Sequence, residues 1–185
     1  MNSEEYLLQN DSSLGGDVKI STDDVLLQPT AGILKSRSTA NLDFTYIYSS
    51  PMDTVTGIEF TKKFLQLNQA PVFCRYLSED QLTSSLIEFS KDENYWFSVG
   101  ASIDTFLFLN DWAKTSKSNF SINISVDVAH GDMVELYNLY NKYANSSWCR
   151  NLMSGTVATF NSAYNVYRAG CSHIRVGIGP GSACT

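Results

Sequence analysis

The sequence predicts an α/β fold in which a parallel β-sheet is covered by outer helices. Short apolar segments of strand-forming residues alternate with amphipathic segments, and the pair repeats at steps of roughly 20–30 residues. No change of composition along the 185 residues marks a second domain. A chain of this length suits one domain with a hydrophobic core. Repeated strand-then-helix steps favour parallel strands, because each helix returns the chain across the sheet.

Six strands are predicted, at residues 45–49, 71–75, 95–99, 121–128, 151–157 and 174–178. The segments between them carry apolar residues on one helical face, as in residues 58–67 and 104–113. Ser78, with Gln81 three residues later, predicts a capping box at the start of a helix. Gly170 predicts a helix C-cap.

The composition argues against several classes of function. Hydrophobic residues make up 43% and charged residues 17% of the chain, which is typical of a soluble globular protein. The net charge of −6 argues against nucleic-acid binding, which usually requires a basic surface. No apolar run reaches the ~18 residues of a membrane span, so no membrane association is expected. The four cysteines lack CxxC spacing, which indicates reduced thiols and a cytoplasmic location.

The amino-terminal segment differs from the rest of the chain. Residues 1–22 are polar and contain Gly15-Gly16, so we expect a flexible arm there. Residues 23–185 are expected to form the folded domain. Within that domain, Lys35-Ser-Arg-Ser38 is a polar segment with two cations, and its simplest interpretation is a solvated surface loop.

A glycine-rich loop follows the last predicted strand. Gly179, Pro180 and Gly181 require a tight loop that a regular helix or strand cannot follow. Closely spaced glycines let backbone groups approach a bound ion or phosphate, and oriented amide dipoles lower the pKa of a nearby thiol. Cys184, at the end of this loop, is therefore a candidate nucleophile. The alternative is a surface turn followed by a buried, unreactive cysteine.

Three motifs in this sequence resemble those of the IMP dehydrogenase and GMP reductase family. Gly177-Ile-Gly-Pro-Gly-Ser-Ala-Cys-Thr185 resembles the family's catalytic-cysteine loop. Asp24-Val-Leu-Leu-Gln-Pro29 with Ser49-Ser-Pro-Met-Asp-Thr-Val-Thr56, and then Val126-Asp-Val-Ala-His-Gly131, resemble two further family segments in the same order. The resemblance implies a (β/α)8 TIM barrel whose chemistry lies on loops after the strands. We expect only the first six βα strands of that barrel here, without the paired regulatory (CBS-type) insert of most IMP dehydrogenases.

The resemblance also implies a covalent reaction at C2 of a purine mononucleotide, either GMP or IMP. It places the nucleophile on Cys184 and the contacts to a potassium ion on the backbone carbonyls of Gly179, Gly181 and Cys184. It assigns the nucleotide phosphate to Ser182 and the ribose and base to Ser50 and Met52.

A cofactor site is implied by the same resemblance. Asp127, with Val128 and Ala129, would contact the nicotinamide ribose of NADPH or NAD. Further cofactor contacts are implied for Ile178, Gly179, Ser36, Arg37 and Arg75. Of these, Ser36 and Arg37 would reach a cofactor bound to the neighbouring subunit of a tetramer. From the residues alone, Asp127 has an alternative role as the N-cap of a helix starting near Asp132. His130 and His173 are expected in surface or turn positions.

The choice between the two branches of the family rests on a few positions. Residues 35–38 and the Asp-Val-Ala-His-Gly turn favour GMP reductase, and so does the missing insert. Residues 49–56 are more similar to IMP dehydrogenase. Ala101 and Thr156 depart from family residues, a threonine or serine and an asparagine respectively. We favour NADPH-dependent GMP reductase, with NAD-dependent IMP dehydrogenase as the alternative.

A third interpretation is that the chain is an incomplete part of a split or truncated enzyme. The family's second half provides a further phosphate loop, a mobile flap and acid/base groups, none of which occurs in these 185 residues. A barrel short of two strands also leaves open sheet edges. We therefore expect the isolated chain to be inactive and to pair either with a complementing carboxyl-terminal half or with copies of itself.

Overall fold

The computed structural model describes residues 46–115 and 120–177. Its centre is a five-stranded sheet in the order β1-β2-β3-β4-β5, with every neighbouring pair parallel. The strands are β1 (Val72–Phe73), β2 (Trp96–Val99), β3 (Ile122–Val126), β4 (Cys149–Val157) and β5 (His173–Val176). The helices are α1 (Ile58–Gln66), α2 (Glu79–Phe89), α3 (Ile103–Thr115), α4 (Val134–Ala144) and α5 (Phe160–Arg168). The predicted α/β class is confirmed, and the sequential parallel order is consistent with part of a TIM barrel.

The first predicted strand, residues 45–49, differs from the structure. Its described part forms one isolated parallel bridge, between Tyr48 and Ala70, and no strand. The backbone ladder does not continue past this bridge, because Val72 N, the next donor on that side, bonds a side chain and not a backbone carbonyl. Side chains complete the pairing: Val72 N donates to Ser49 Oγ at 2.8 Å, and Ile47 N donates to the Gln69 side chain at 2.7 Å. Over the described residues the sheet therefore has five strands where six were predicted.

The two faces of the sheet have different chemistry. One face is apolar and packs on the helices, with the buried side chains of Phe97, Val99 and Ile124 in the main core. The opposite face carries a small apolar cluster around Trp96 and Met153. Beyond this cluster, towards the carboxyl ends of the strands, the same face carries polar residues, including the paired Ser98 and Ser125. Among the side chains that the structure describes, the hydroxyls of these two serines are buried without a hydrogen-bond partner. Parallel sheets are usually apolar on both faces, so this polar face is the unusual feature.

Helix termini follow the local sequence signals. The Ser78–Gln81 capping box at the start of α2 is confirmed. Gly170 directly follows the C-cap Ala169, with φ at +110°, as expected for a residue that ends a helix in the left-handed region. No helix in residues 46–115 or 120–177 is long and apolar enough to cross a membrane.

Candidate functional site

The carboxyl ends of the strands bring one carboxylate between two guanidinium groups. Asp127 directly follows β3, and Arg175 Nη2 donates to its Oδ1 at 3.0 Å. Arg75 Nε lies 3.6 Å from Asp127 Oδ2. The three side chains are partly buried, with exposed fractions of 29% for Arg75, 20% for Asp127 and 27% for Arg175. Partial burial strengthens such pairs relative to fully exposed ones.

Gly155 on β4 permits the contact between Arg175 and Asp127. Gly155 is the register partner of Arg175, and it lies two residues after Met153, the register partner of Ser125. Asp127 likewise lies two residues after Ser125, so Gly155 separates the two charged residues at the same level of the sheet. A Cβ on Gly155 would lie 2.4 Å from the Arg175 carbonyl oxygen, and its φ is +138°. Only glycine suits this position.

Arg75 is held by more than its carboxylate partner. Its guanidinium carbon lies 3.9 Å from the centroid of the Tyr76 ring, and Nη2 also donates to the Tyr76 hydroxyl. On the other side, a Cβ added to Gly100 would lie 3.3 Å from Arg75 Nη1. Arg75 is therefore fixed between an aromatic ring and a glycine backbone, and it forms an ion pair with Asp127 without a hydrogen bond from its Nε.

The turn that follows Asp127 is fastened to β4 and α4. Thr156 Oγ1 donates to the Ala129 carbonyl at 2.9 Å, and Gly131 N donates to the Thr156 carbonyl at 3.1 Å. The Tyr140 hydroxyl donates to the Gly131 carbonyl at 2.8 Å, and burial raises the pKa of Tyr140 to about 12. Thr156 thus holds the turn after Asp127 directly.

The N-cap alternative for Asp127 is wrong. Helix α4 begins at Val134, and its N-cap is Met133 without a side-chain capping bond. Asp127 lies too early in the chain to serve that end, and its carboxylate is directed at Arg75 and Arg175.

A cavity of about 610 Å³ opens beside this charged group, between the amino-terminal ends of α2 and α3. Asp127, Val128 and Ala129 form part of its wall, together with Arg75. The other lining residues are mainly apolar, with the carboxylates Glu79 and Asp104 at the two helix starts. A volume in this range is typical of small-molecule sites. The structure therefore brings four of the predicted cofactor residues to one cavity.

A second cavity, of about 380 Å³, lies on the polar face of the sheet. It is lined by Ser50 and Arg175, so Arg175 links the two cavities through its contact with Asp127. Met52, predicted to act beside Ser50, is not among the lining residues; it is exposed, and its carbonyl accepts a hydrogen bond from Thr56 N. Ser50 itself is tied to the same turn, since its carbonyl accepts from Thr56 Oγ1 at 2.7 Å.

The expectation of a surface or turn position for His173 is wrong. This residue begins β5, and its ring packs edge-on against Trp96 with ring centroids 5.0 Å apart. Burial lowers its pKa. His130, by contrast, is exposed as expected.

The remaining predicted site residues lie outside the described residues. They are Ser36, Arg37, Ile178, Gly179, Gly181, Ser182 and Cys184. The other three cysteines are described, and burial raises the pKa of each thiol, to about 12 for Cys149 and Cys171. A thiol with such a pKa is a poor nucleophile at neutral pH.

Sequence reasoning missed Arg175 and Gly155 as site residues. Arg175 alternates with apolar residues in a predicted strand, and this was the one available signal that it faces away from the helices. Gly155 gave no signal, because its importance depends on which strands lie on either side of it.

The parallel α/β architecture, with a carboxylate turn at the carboxyl ends of the strands, is consistent with part of a TIM-barrel domain. A model of the IMP dehydrogenase / GMP reductase domain matches residues 16–185, and the chain belongs to this family. A GMP reductase of Caenorhabditis elegans is 28% identical over 180 residues, which cover 90% of this chain and 50% of the relative. GMP reductases of Shewanella pealeana and of Buchnera aphidicola subsp. Schizaphis graminum are each 28% identical over 185 residues, covering 91% of this chain and 52% of the relative. The chain thus spans about half the length of these curated relatives.

Proposed function

We propose that this chain is part of a purine-nucleotide oxidoreductase of the GMP reductase type, which converts GMP to IMP with loss of ammonia. The observation that carries the proposal is the position of Asp127, Val128 and Ala129. They line a cavity of about 610 Å³ at the carboxyl edge of a parallel sheet, where enzymes of this architecture bind their ligands. The relatives named GMP reductase favour this branch of the family.

The donor set of the cavity fits a nicotinamide cofactor. A carboxylate can accept about four hydrogen bonds. The Asp127 carboxylate accepts one from Arg175, and its other oxygen forms an ion pair with Arg75. The remaining positions suit the two hydroxyls of the nicotinamide ribose. Arg75 keeps N–H donors beyond those directed at Asp127 and Tyr76, and these suit a phosphate oxygen. When bound, the cofactor supplies the hydride, while the protein residues orient it.

The purine nucleotide is assigned to the second cavity. Ser50 lines it and, with Met52 and Ser182, is proposed to bind the nucleotide. The thiolate of Cys184 would add to C2 of the purine, and a potassium ion would be held by the carbonyls of Gly179, Gly181 and Cys184. The raised pKa values of Cys74, Cys149 and Cys171 support this assignment, because none of these three thiols is suited to nucleophilic attack.

Two observations favour NAD-dependent IMP dehydrogenase as a second candidate. Residues 49–56 are more similar to that branch, and Ser50 from this segment lines the cavity proposed for the nucleotide. Ala101, which lines the cofactor cavity, also lacks the hydroxyl that GMP reductases often carry there.

We further propose that turnover requires the half of the domain that these 185 residues do not include. The chain covers about half of its relatives, and cooperating catalytic groups lose far more than their separate contributions when some are missing. The active assembly would be either a tetramer of complete chains or this chain paired with a carboxyl-terminal half, in the cytoplasm.

The test compares the purified chain alone with the chain mixed with the carboxyl-terminal half of a GMP reductase. Each is assayed with GMP plus NADPH and with IMP plus NAD. The proposal predicts turnover of GMP only in the mixture, with none from the chain alone. Turnover of IMP in the mixture would favour the second candidate, and turnover by the chain alone would contradict the requirement for the missing half.

A further inference from the structure

Helix α5 carries its aromatic side chains on the side that faces solvent. Phe160, Tyr164 and Tyr167 are 83%, 50% and 62% exposed, and Phe160 is the most exposed large hydrophobic side chain among the residues that the structure describes. Their spacing of four and then three residues places them along one face of the helix. The core side of α5 is occupied by the smaller residues Val166 and Ala163. An exposed apolar stripe of this kind marks a contact with another protein.

The rings of this aromatic stripe are ordered before any partner binds. Phe160 and Tyr164 are stacked, with centroids 6.2 Å apart and planes 8° from parallel. The guanidinium carbon of Arg168 lies 6.0 Å from the centroid of the Tyr164 ring. Rings that are already packed lose little further freedom on binding, and residues that dominate one side of an interface tend to meet similar residues on the other. The stripe therefore suits a protein surface that also presents rings.

Opposite charges lie at the two ends of the aromatic stripe. Ser162 and Asn165 both hydrogen-bond the carboxylate of Asp132, the latter at 3.4 Å, so this carboxylate lies beside the first two turns of α5. Arg168 is in the last turn, and it lies on the same side of the helix because it follows Asn165 by three residues. None of the ion pairs among the described residues involves Arg168.

We propose that this face of α5 binds the same face of a second copy of the chain, about a two-fold axis perpendicular to the two helices. In this antiparallel packing Tyr164 lies at the axis and meets its own counterpart. Phe160 of each copy meets Tyr167 of the other. The same rotation brings Arg168 of each copy to Asp132 of the other, so the charges of the surface are complementary to themselves.

The exposed area is sufficient for a small dimer interface. The exposed parts of the three rings amount to roughly 300–500 Å² per copy, since a whole aromatic side chain covers about 150–250 Å². Val134, two residues after Asp132, is also exposed and extends the apolar area at that end. Two copies thereby approach the ~1,000 Å² of a specific interface. We expect a dissociation constant of about 1–100 μM.

Dimer formation through α5 does not depend on the proposed reaction. None of the side chains of the aromatic stripe lines either of the cavities described above. Both cavities therefore stay open in the dimer, and failure of the dimer leaves the proposed function untouched.

The first test measures the dimer dissociation constant of the 185-residue chain by sedimentation equilibrium. Tyr164→Glu should raise the constant at least about thirtyfold, because each copy would place a charge opposite its own counterpart. Arg168→Glu should raise it about tenfold at low ionic strength, and less in high salt. Ile87→Glu is the matched control, because Ile87 is an exposed apolar residue of α2 outside the stripe, and it should change nothing. Circular dichroism checks the fold of each variant.

The second test examines the two-fold axis by cross-linking. Tyr164→Cys, in a Cys184→Ser background, should form a disulfide-linked dimer with an added oxidant, because the axis brings position 164 to its own counterpart. Ile87→Cys in the same background should not. A chain that is monomeric at about 100 μM would overturn the proposal. So would a Tyr164→Glu variant that remains dimeric, because the copies would then associate through the open sheet edges. A carboxyl-terminal half that dissociates the dimer when it binds would show that this face of α5 belongs to that half, which also contradicts the proposal.

Discussion

Arg175 and Asp127 form an ion pair of 3.0 Å across an intervening strand, over the glycine at position 155. The pair joins β5, which leads to the cysteine loop, with the turn that carries the proposed cofactor contacts. It thereby ties this turn to the last strand of the described sheet. The contact depends on the absence of a side chain on β4 at this level.

Gly155→Ala should strongly destabilise the protein. The added Cβ would lie 2.4 Å from the Arg175 carbonyl oxygen, and the backbone at φ +138° is strained for any residue with a side chain. We expect the free energy of unfolding in urea to fall by about 1–3 kcal/mol. Gly57→Ala is the control, since nothing lies within 4 Å of its Cβ position. Equal stability of the two variants would contradict the close approach of β4 and β5.

Asp127→Ala should weaken cofactor binding and spare the purine nucleotide. Loss of charge-assisted hydrogen bonds to a ribose costs about 1.5–3 kcal/mol, which corresponds to roughly a tenfold to hundredfold rise in the dissociation constant. Titration of each ligand separately measures the effect. Asp111→Asn, which removes an exposed carboxylate on α3, should change neither constant. Normal cofactor binding by the Asp127 variant would show that this carboxylate is only a structural partner of the two arginines.

Cys184 should react selectively with an electrophilic purine nucleotide when a complementing carboxyl-terminal half is present. The raised pKa values of Cys74, Cys149 and Cys171 keep these thiols protonated at neutral pH, so peptide mapping should find them unlabelled. Cys184→Ser should abolish turnover but retain nucleotide binding, because a hydroxyl is a far weaker nucleophile. Uniform labelling of the four cysteines would remove the case for an activated thiol.

Tyr140→Phe should loosen the turn after Asp127. The tyrosine hydroxyl donates to the Gly131 carbonyl and accepts from Ser154 Oγ at 2.7 Å, and both partners would be left unsatisfied in the core. We expect a loss of about 1–3 kcal/mol in the free energy of unfolding at pH 7. Tyr167→Phe, at an exposed position on α5, is the control and should change it little.

The same variant has a predictable dependence on pH. Burial raises the pKa of Tyr140 to about 12, above the ordinary value of about 10. The protonated hydroxyl therefore contributes its full stability below pH 10 and loses that contribution as the pH rises towards 12. The stability difference between the unaltered chain and Tyr140→Phe should narrow over this range. A constant difference would show that the hydroxyl titrates alike in the folded and unfolded states.

Local signals in the sequence determined the elements of this protein. The alternation of apolar and amphipathic segments predicted the α/β class, and the Ser78–Gln81 pattern predicted a capping box that the structure contains. These features depend on residues close together in the chain, so a sequence records them directly. The family motifs likewise placed Asp127 at a strand end. The strand predicted at residues 45–49 is wrong because, beyond one bridge between Tyr48 and Ala70, its contacts with the neighbouring segment are made by the side chains of Ser49 and Gln69.

Only the tertiary structure decided what surrounds Asp127. Its partners Arg75 and Arg175 are 52 and 48 residues away in sequence, and they meet it because parallel strands align their carboxyl ends at one edge. The space for that meeting comes from Gly155, whose role depends on the register of two neighbouring strands. The cavity of about 610 Å³ beside Asp127 likewise exists only once α2 and α3 lie side by side. Contacts between distant segments are fixed by strand register and helix packing, and no local pattern encodes those two quantities.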